Sequence, residues 1–97
     1  MTVEHRLEQY TLQCPQEVLI VKAEIEGEPD EIAIFRGVSS SLMRPTAFDV
    51  EVPILPEGAT IVAIDRLQGP YDPAHPQYLQ QRLSWADFLP RLTQLGL

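Results

Sequence analysis

Residues 17–38 read EVLIVKAEIEGEPDEIAIFRGV, and this stretch decides the fold. Every second position from Leu19 to Ile25 is apolar, a period of two that is typical of a β-strand. The intervening positions change from apolar to charged, which predicts that only the first half of this strand is covered on both faces. Residues 27–30, GEPD, form a turn signal before another apolar run, so we predict a β-hairpin over residues 17–38.

Three neighbouring segments carry weaker strand signals. Residues 59–67 are rich in β-branched side chains and end before Gly69-Pro70, which predicts a further strand. Residues 7–14 alternate in polarity, which predicts a strand that ends at Pro15. Residues 39–58 contain several prolines but are too apolar for a flexible linker, which favours short extended pieces packed on the core.

The C-terminal part has helical signals. Pro76 suits the first position of a helix, and residues 77–83 are predicted to form one or two helical turns. Ser84 and Asp87 have capping-box spacing and open an apolar stripe that predicts a second helix from Trp85. Pro90 either kinks this helix or confines it to residues 90–95, and a glycine at 96 ends it.

The size of the chain limits its architecture. Ninety-seven residues fit one small domain over residues 1–97, because domains commonly contain roughly 100–150 residues. The order of strands first and a helix last predicts a mainly β, α+β fold. We expect a small antiparallel sheet or open barrel of about four or five strands, closed on one side by a C-terminal helix.

The charge is acidic and unevenly distributed. The net charge is −7, and eight of the fourteen acidic residues lie within residues 1–31. An acidic surface repels phosphate backbones and anionic membranes, so we expect no nucleic-acid binding and no membrane insertion. The acidic half either promotes solubility alone or presents an acidic edge to a basic partner protein.

Cysteine, histidine and nucleophile patterns do not indicate an enzyme. Cys14 is the single cysteine, so an intramolecular disulfide and a cysteine zinc site are excluded. His5 and His75 have no partners at metal-ligand spacing, and neither a nucleophile elbow nor a phosphate-binding loop is present. We therefore expect no catalytic residues, no metal and no cofactor. The first eight residues lack an apolar signal segment, which predicts a soluble, cytoplasmic protein.

Residues 39–46, SSSLMRPT, form the strongest polar cluster. Successive hydroxyl groups and backbone N–H groups in a turn can bind an anion, and an arginine can add a bidentate contact. We therefore hypothesise that this segment, which ends at Thr46, binds a phosphate or carboxylate, and that arginines from the neighbouring strands contribute. The candidate residues are Arg36, Ser39, Ser40, Ser41, Arg44 and Arg66. The alternative is a serine-rich loop held by its own side-chain to backbone hydrogen bonds.

Residues 65–73, DRLQGPYDP, form a second candidate surface. If both are in a strand, Asp65 and Arg66 point to opposite faces. Tyr71 lies beside rigid prolines, and arginine and aromatic side chains are common in the centres of protein interfaces. The alternative is that Tyr71 and Tyr78 pack the loop onto the sheet.

Three segments together resemble a small family of cyanobacterial and chloroplast proteins of unknown function. They are SSSLMRPT at residues 39–46, DRLQGPY at 65–71 and LSWADF at 83–88. The resemblance implies a location in the cyanobacterial cytoplasm or the chloroplast stroma and a photosynthetic context. It carries over no catalytic or ligand-binding residue.

The favoured hypothesis is a non-enzymatic protein-interaction or assembly module, with Arg44, Arg66 and Tyr71 near the centre of the contact. The alternative is a small-anion binding domain that uses residues 39–46. The sequence leaves the partner and the oligomeric state open.

Overall fold

The computed structural model describes residues 2–43 and 53–97, which form an open five-stranded antiparallel sheet with two helices. The order of strands across the sheet is β3-β2-β1-β4-β5. The predicted mainly β sheet with a C-terminal helix is confirmed. The elements are α1 (Val3–Gln13), β1 (Glu17–Ile25), β2 (Glu28–Phe35), β3 (Val38–Ser41), β4 (Thr60–Gln68), β5 (Tyr78–Leu83) and α2 (Trp85–Gln94).

The predicted hairpin is present, and a second hairpin follows it directly. Glu26 and Gly27 join β1 to β2, and both have a positive φ, of 55° and 80°. Arg36 and Gly37 join β2 to β3 in the same way, with φ values of 49° and 81°. Two-residue turns with positive φ match the right-handed twist of antiparallel strands, and glycine adopts them without steric cost. The first turn, at residues 26–27, therefore begins one residue before the predicted turn segment GEPD at residues 27–30.

The N-terminal segment was wrongly predicted as a strand and is the helix α1. Thr2 caps it, because its hydroxyl accepts a hydrogen bond from the backbone N–H of His5 at 3.1 Å. The buried side chains are Leu7, Tyr10 and Thr11, whose spacing of three and four residues places them on one side of a helix. The alternating pattern of residues 7–14 concealed this helical period.

Residues 77–83 were wrongly predicted as helical turns, since Tyr78–Leu83 forms the edge strand β5. The backbone N–H of Gln68 donates to the carbonyl of Gln77 at 2.8 Å, and Tyr78 is the cross-strand partner of Leu67. Pairing with β4 therefore overrides the helical propensity of the Leu-Gln-Gln-Arg segment. The pairing shifts register twice, and Arg82 has a positive φ of 60°.

The predicted capping box opens α2. The Ser84 hydroxyl accepts from the Asp87 N–H at 3.0 Å, and the Asp87 carboxylate accepts from the Ser84 N–H at 3.4 Å. The helix continues through Pro90 to Gln94, so its predicted restriction to residues 90–95 is wrong. Gly96, with a φ of 76°, follows the last turn as predicted. Neither helix of the described ranges has the length and apolar character that would carry it across a bilayer.

Both helices pack on one side of the sheet, which we call the helix-covered face. Leu7 and Tyr10 of α1 and Phe88 and Leu92 of α2 are buried there against inward-pointing side chains of the strands. The opposite side, which we call the helix-free face, carries no helix in the described part of the chain. Residues 18–21 are buried on both sides, and exposure begins further along β1, as the change from apolar to charged positions predicted.

Candidate interaction surface

The predicted site residues are divided between the two faces. The register of β1 to β4 places Ser39, Ser41 and Arg66 on the helix-covered face. Ser40 lies on the helix-free face, where Tyr71 also packs. Arg36 is in the β2–β3 turn, whereas Arg44 and Thr46 lie outside the described residues.

The helix-free face has an apolar end, formed where the first half of β1 meets its neighbours. Val18, Ile20 and Leu67 are buried there. Phe35 and Tyr71 are half-buried against this cluster. Two side chains at its margins are more exposed: Tyr78, opposite Leu67, at 48% and Val38, opposite Phe35, at 64%. The apolar end therefore has a buried middle, and the aromatic and aliphatic side chains at its margins are exposed to solvent.

Arg36 extends this apolar end with a cation. Its guanidinium carbon lies 4.9 Å from the centre of the Phe35 ring. Its Nε is 3.5 Å from the carbonyl oxygen of Pro15, and the residue is exposed. Stacking on an aromatic ring fixes the side chain while leaving guanidinium N–H groups accessible to another molecule.

Gly69 lets the β4–β5 loop approach the same cluster. A Cβ atom at this position would lie 2.7 Å from Cε1 of Phe35 and 3.1 Å from the carbonyl oxygen of Gln16. The Gly69 N–H donates to that carbonyl at 2.6 Å. The absence of a side chain therefore allows the loop to bring Tyr71 onto the sheet.

The other end of the helix-free face is charged. The Lys22 ammonium lies 3.6 Å from a carboxylate oxygen of Asp65. Asp65 is almost fully buried and accepts a hydrogen bond from the Arg82 N–H at 2.8 Å, which holds the distorted part of β5. Glu24 and Glu31 share this face by register, so the charged end is predominantly acidic.

Two of the three serine hydroxyls of β3 donate to carboxylates. Ser39 donates to Glu8 of α1 at 2.7 Å, and Ser41 donates to Asp30 at 2.9 Å. An anion at these two hydroxyls would meet negative oxygens instead of free donors. Their hydrogen bonds join β3 to α1 and to the neighbouring strand.

Arg66 belongs to a buried polar network on the helix-covered face. Its Nε donates to Oε1 of Glu17 at 2.8 Å, and the Tyr10 hydroxyl donates to the same oxygen at 2.9 Å. Arg91 of α2 donates to the Tyr10 hydroxyl at 3.3 Å, and Arg66 also donates to the side-chain oxygen of Gln80 at 2.5 Å. The network therefore connects both helices to three strands.

This network changes the protonation of its members. Burial alone would raise the pKa of Glu17, but hydrogen bonds from Arg66 and Tyr10 outweigh it and lower that pKa below its usual value. Burial raises the pKa of the Tyr10 hydroxyl, with a further contribution from its hydrogen bond to Glu17. Glu17 is thus held as a carboxylate and Tyr10 as a neutral donor.

The predicted grouping of Arg66 with Tyr71 needs correction. Arg66 contacts Glu17 on the helix-covered face, whereas Tyr71 packs on the helix-free face. Asp65 and Arg66 do point to opposite faces, as their different partners require. Tyr71 instead shares its apolar cluster with Phe35, which the sequence pattern did not single out as a site residue, and Tyr78 pairs with Leu67 of the same cluster. The alternating positions of residues 31–38 were the signal that could have identified Phe35.

The described residues do not assemble a metal centre. Across residues 2–43 and 53–97, no three histidine, cysteine or acidic side chains lie in a group that could hold a metal ion. The apolar end of the helix-free face offers apolar area, two tyrosines and one stacked arginine.

Comparison with protein-family models gave one informative result. A search of curated proteins and a search of solved structures each found no match. The family model described as Domain of unknown function (DUF7734) matches residues 4–92, which extend from α1 to α2. The chain therefore belongs to the DUF7734 family.

Proposed function

We propose that the protein is a non-enzymatic protein-interaction module and that the apolar end of the helix-free face is its contact surface. One observation carries this proposal: aromatic side chains and a stacked arginine surround a buried apolar cluster on a face that no described helix covers. An antiparallel sheet with one solvated face usually alternates apolar and polar positions, with the polar side chains outward. Here Val18, Ile20 and Phe35 occupy the outward positions instead.

The residue types support a protein partner rather than a substrate. Tyrosine and arginine are enriched among the residues that dominate binding energy at interfaces. Exposed apolar area next to a polar border is typical of protein-binding surfaces. Tyr71, Tyr78 and Arg36 match the first description, and the exposed Tyr78 and Val38 match the second.

The charge of the same face indicates the kind of partner. Glu24 and Glu31 lie beyond the apolar end, and the whole chain has a net charge of −7. Complementary charges steer association and disfavour wrong partners. We therefore propose a basic protein with an apolar patch, whose apolar side chains meet Tyr78 and whose cations meet the acidic end.

Paired variants test this proposal. Immobilised protein is incubated with an extract of its source cells, and retained proteins are compared between wild type and the double variant Arg36→Ser, Tyr78→Ser. The matched control changes two exposed residues of α2, Ala86→Ser and Gln94→Ser. We expect the first variant to lose specific partners and the control to retain them, while both melt close to the wild-type temperature. Equal retention by both variants would overturn the proposal.

Anion binding by residues 39–46 stays a prediction. The hydrogen bonds from Ser39 to Glu8 and from Ser41 to Asp30 make it the weaker candidate. A cyanobacterial cytoplasm or chloroplast stroma is our proposed location, supported by the resemblance of three segments. A thermal-melt series with phosphate and carboxylates, with Arg44→Ala as control, tests the anion hypothesis.

A further inference from the structure

The two edges of the sheet differ in regularity. β5 forms one edge, but its pairing with β4 shifts register twice and Arg82 has a positive φ, and distortions of this kind protect an edge from further pairing. β3 forms the other edge and pairs with β2 in one uninterrupted register over residues 38–41. Residues 38–43 also lack charged side chains and proline, two further means of protecting an edge. In the described part of the chain, β3 is therefore the edge that suits pairing with another strand.

One hydrogen bond shows which backbone groups of β3 point away from β2. The Leu42 N–H donates to the carbonyl oxygen of Glu31 at 2.8 Å, which makes these two residues a hydrogen-bonded pair in the register of β2 and β3. Along antiparallel strands such pairs alternate with pairs whose backbone groups point to the other side. Val38 and Ser40 therefore bond to β2, whereas the backbone N–H and carbonyl of Ser39 point outward from the edge.

The same alternation arranges the side chains of this edge. Val38, Ser40 and Leu42 lie on the helix-free face, and Val38 and Leu42 are 64% and 44% exposed. Ser39 lies on the other face, where its hydroxyl donates to Glu8. Two exposed apolar side chains thus flank a small polar one, so the edge has the same chemistry on both sides of Ser40.

We propose that two copies of this chain associate through β3, in antiparallel orientation, with a two-fold axis at Ser40. In this register Val38 of each copy faces Leu42 of the other, and the two Ser40 side chains meet at the axis. The Ser39 N–H of each copy donates to the Ser41 carbonyl oxygen of the other. A carbonyl oxygen has two lone pairs, so it can accept this bond in addition to another.

Charge supports a second copy at this edge. The chain has a net charge of −7, so two copies repel each other unless their contact avoids acidic side chains. Residues 38–42 bring no charge to the contact. Two neighbouring carboxylates already accept hydrogen bonds from hydroxyls of the strand: Glu8 from Ser39, and Asp30 from Ser41. No like charges therefore lie opposite each other along the paired strands.

The inference does not depend on the proposed protein partner. The strand order places β3 at one edge of the sheet and β5 at the other. A second copy at β3 covers Val38, at one margin of the proposed contact surface, and leaves Tyr78 of β5 exposed. Self-association and capture of a partner can thus succeed or fail separately.

Sedimentation of the intact protein at increasing concentration tests the association. Small interfaces are weak, so the series extends from about 10 µM to about 1 mM, and we expect the average mass to rise reversibly from one chain towards two. Ser40→Lys places two ammonium groups at the axis and should raise the concentration for half-association by about tenfold or more. The matched control, Gln81→Lys, adds the same charge at an exposed position of β5 and should associate like wild type.

Disulfide trapping tests the register. Ser40 and its copy form a non-hydrogen-bonded pair, whose Cα atoms lie about 4.5 Å apart, within the range of roughly 4.4–6.8 Å that a disulfide spans. Ser40→Cys in a Cys14→Ser background should therefore form a covalent dimer with oxidised glutathione, and Gln81→Cys in the same background should not.

Three results would overturn the proposal. They are a protein that stays monomeric over the whole concentration series, equal association of the two lysine variants, and no covalent dimer from position 40. Covalent capture of a different protein at position 40 in a cell extract, in place of a second copy, would assign the edge to that protein and overturn the proposal as well.

Discussion

The two faces of the sheet are built from the same strands but closed in different ways. On the helix-covered face, Phe88 and Tyr10 meet edge to face with ring centres 5.0 Å apart, and the Glu17–Arg66 pair is bonded beside them. On the helix-free face, the cluster around Leu67 is covered by a loop that contributes Tyr71. Among residues 2–43 and 53–97, two helices thus close one face, whereas a loop covers the apolar end of the other.

This difference separates stability from recognition. Buried apolar side chains and satisfied polar groups stabilise the fold, so substitutions of buried residues on the helix-covered face should lower the free energy of unfolding. Substitutions at the margin of the helix-free face should leave the fold intact, because such side chains keep much of their solvent contact.

The largest effect is expected for Phe88→Ala. Phe88 is fully buried, and its removal leaves a cavity beneath both helices. The free energy of unfolding should fall by roughly 3–5 kcal/mol, a large part of the total for a domain of this size. Urea denaturation measures the loss, and Leu95→Ala, at the end of α2, is the exposed control. If the free energy of unfolding fell by less than about 1 kcal/mol, the helix-covered face would not stabilise the fold more than the helix-free face does.

Glu17→Gln should have the next largest effect and should depend on pH. At neutral pH it weakens hydrogen bonds to a charged group, at a cost of roughly 1.5–3 kcal/mol. Because the folded-state pKa of Glu17 is lowered, its contribution is present above the ordinary glutamate pKa and is lost as pH falls through the folded value. Wild-type stability should therefore decline below about pH 4.5, the ordinary value, and the variant should decline less. Parallel pH profiles for the two proteins would contradict this role.

Gly69→Ala tests how closely the loop covers the helix-free face. The added methyl group would meet the Phe35 ring and the Gln16 carbonyl, so the loop must move. We expect a loss of roughly 1–3 kcal/mol, the usual cost of overpacking. Gly58→Ala is the matched control, because nothing lies within 4 Å of a Cβ at that position. If both variants unfold at the same urea concentration, the loop does not pack as described.

Tyr78→Ser should have the smallest effect on stability. The side chain is 48% exposed on the helix-free face, so the free energy of unfolding should change by at most about 0.5 kcal/mol. Urea denaturation measures this value beside that of Phe88→Ala. A loss above about 2 kcal/mol would show that Tyr78 stabilises the fold and is not free to contact a partner.

The sequence predicted those elements whose signals are local. The hairpin of β1 and β2, the strand β4 and the capping box of Ser84 and Asp87 depend on neighbouring residues, and all were confirmed. The helix α1 was missed because the alternating polarity of residues 7–14 was interpreted as a strand, although the buried Leu7, Tyr10 and Thr11 have helical spacing. The strand β5 was missed because its conformation depends on pairing with β4, which is a tertiary contact.

The candidate surface was only partly predictable for a similar reason. Arg36 and Tyr71 could be selected as residue types that favour interfaces. The strand register decides which of these residues share a face of the sheet. It places Arg66 on the helix-covered face, opposite Tyr71. The Arg66 network also joins residues as distant in sequence as Tyr10 and Arg91, and no local pattern predicts that contact.

Photo-crosslinking from each face tests the central claim most directly. A benzophenone amino acid replaces Tyr78 on the helix-free face or, as control, the exposed Ala86 on α2, and each protein is irradiated in an extract of its source cells. We predict discrete crosslinked proteins from position 78 that disappear when Arg36→Ser is added, and none of these from position 86. The same products from both positions, or specific products from position 86 alone, would contradict the assignment of recognition to the helix-free face.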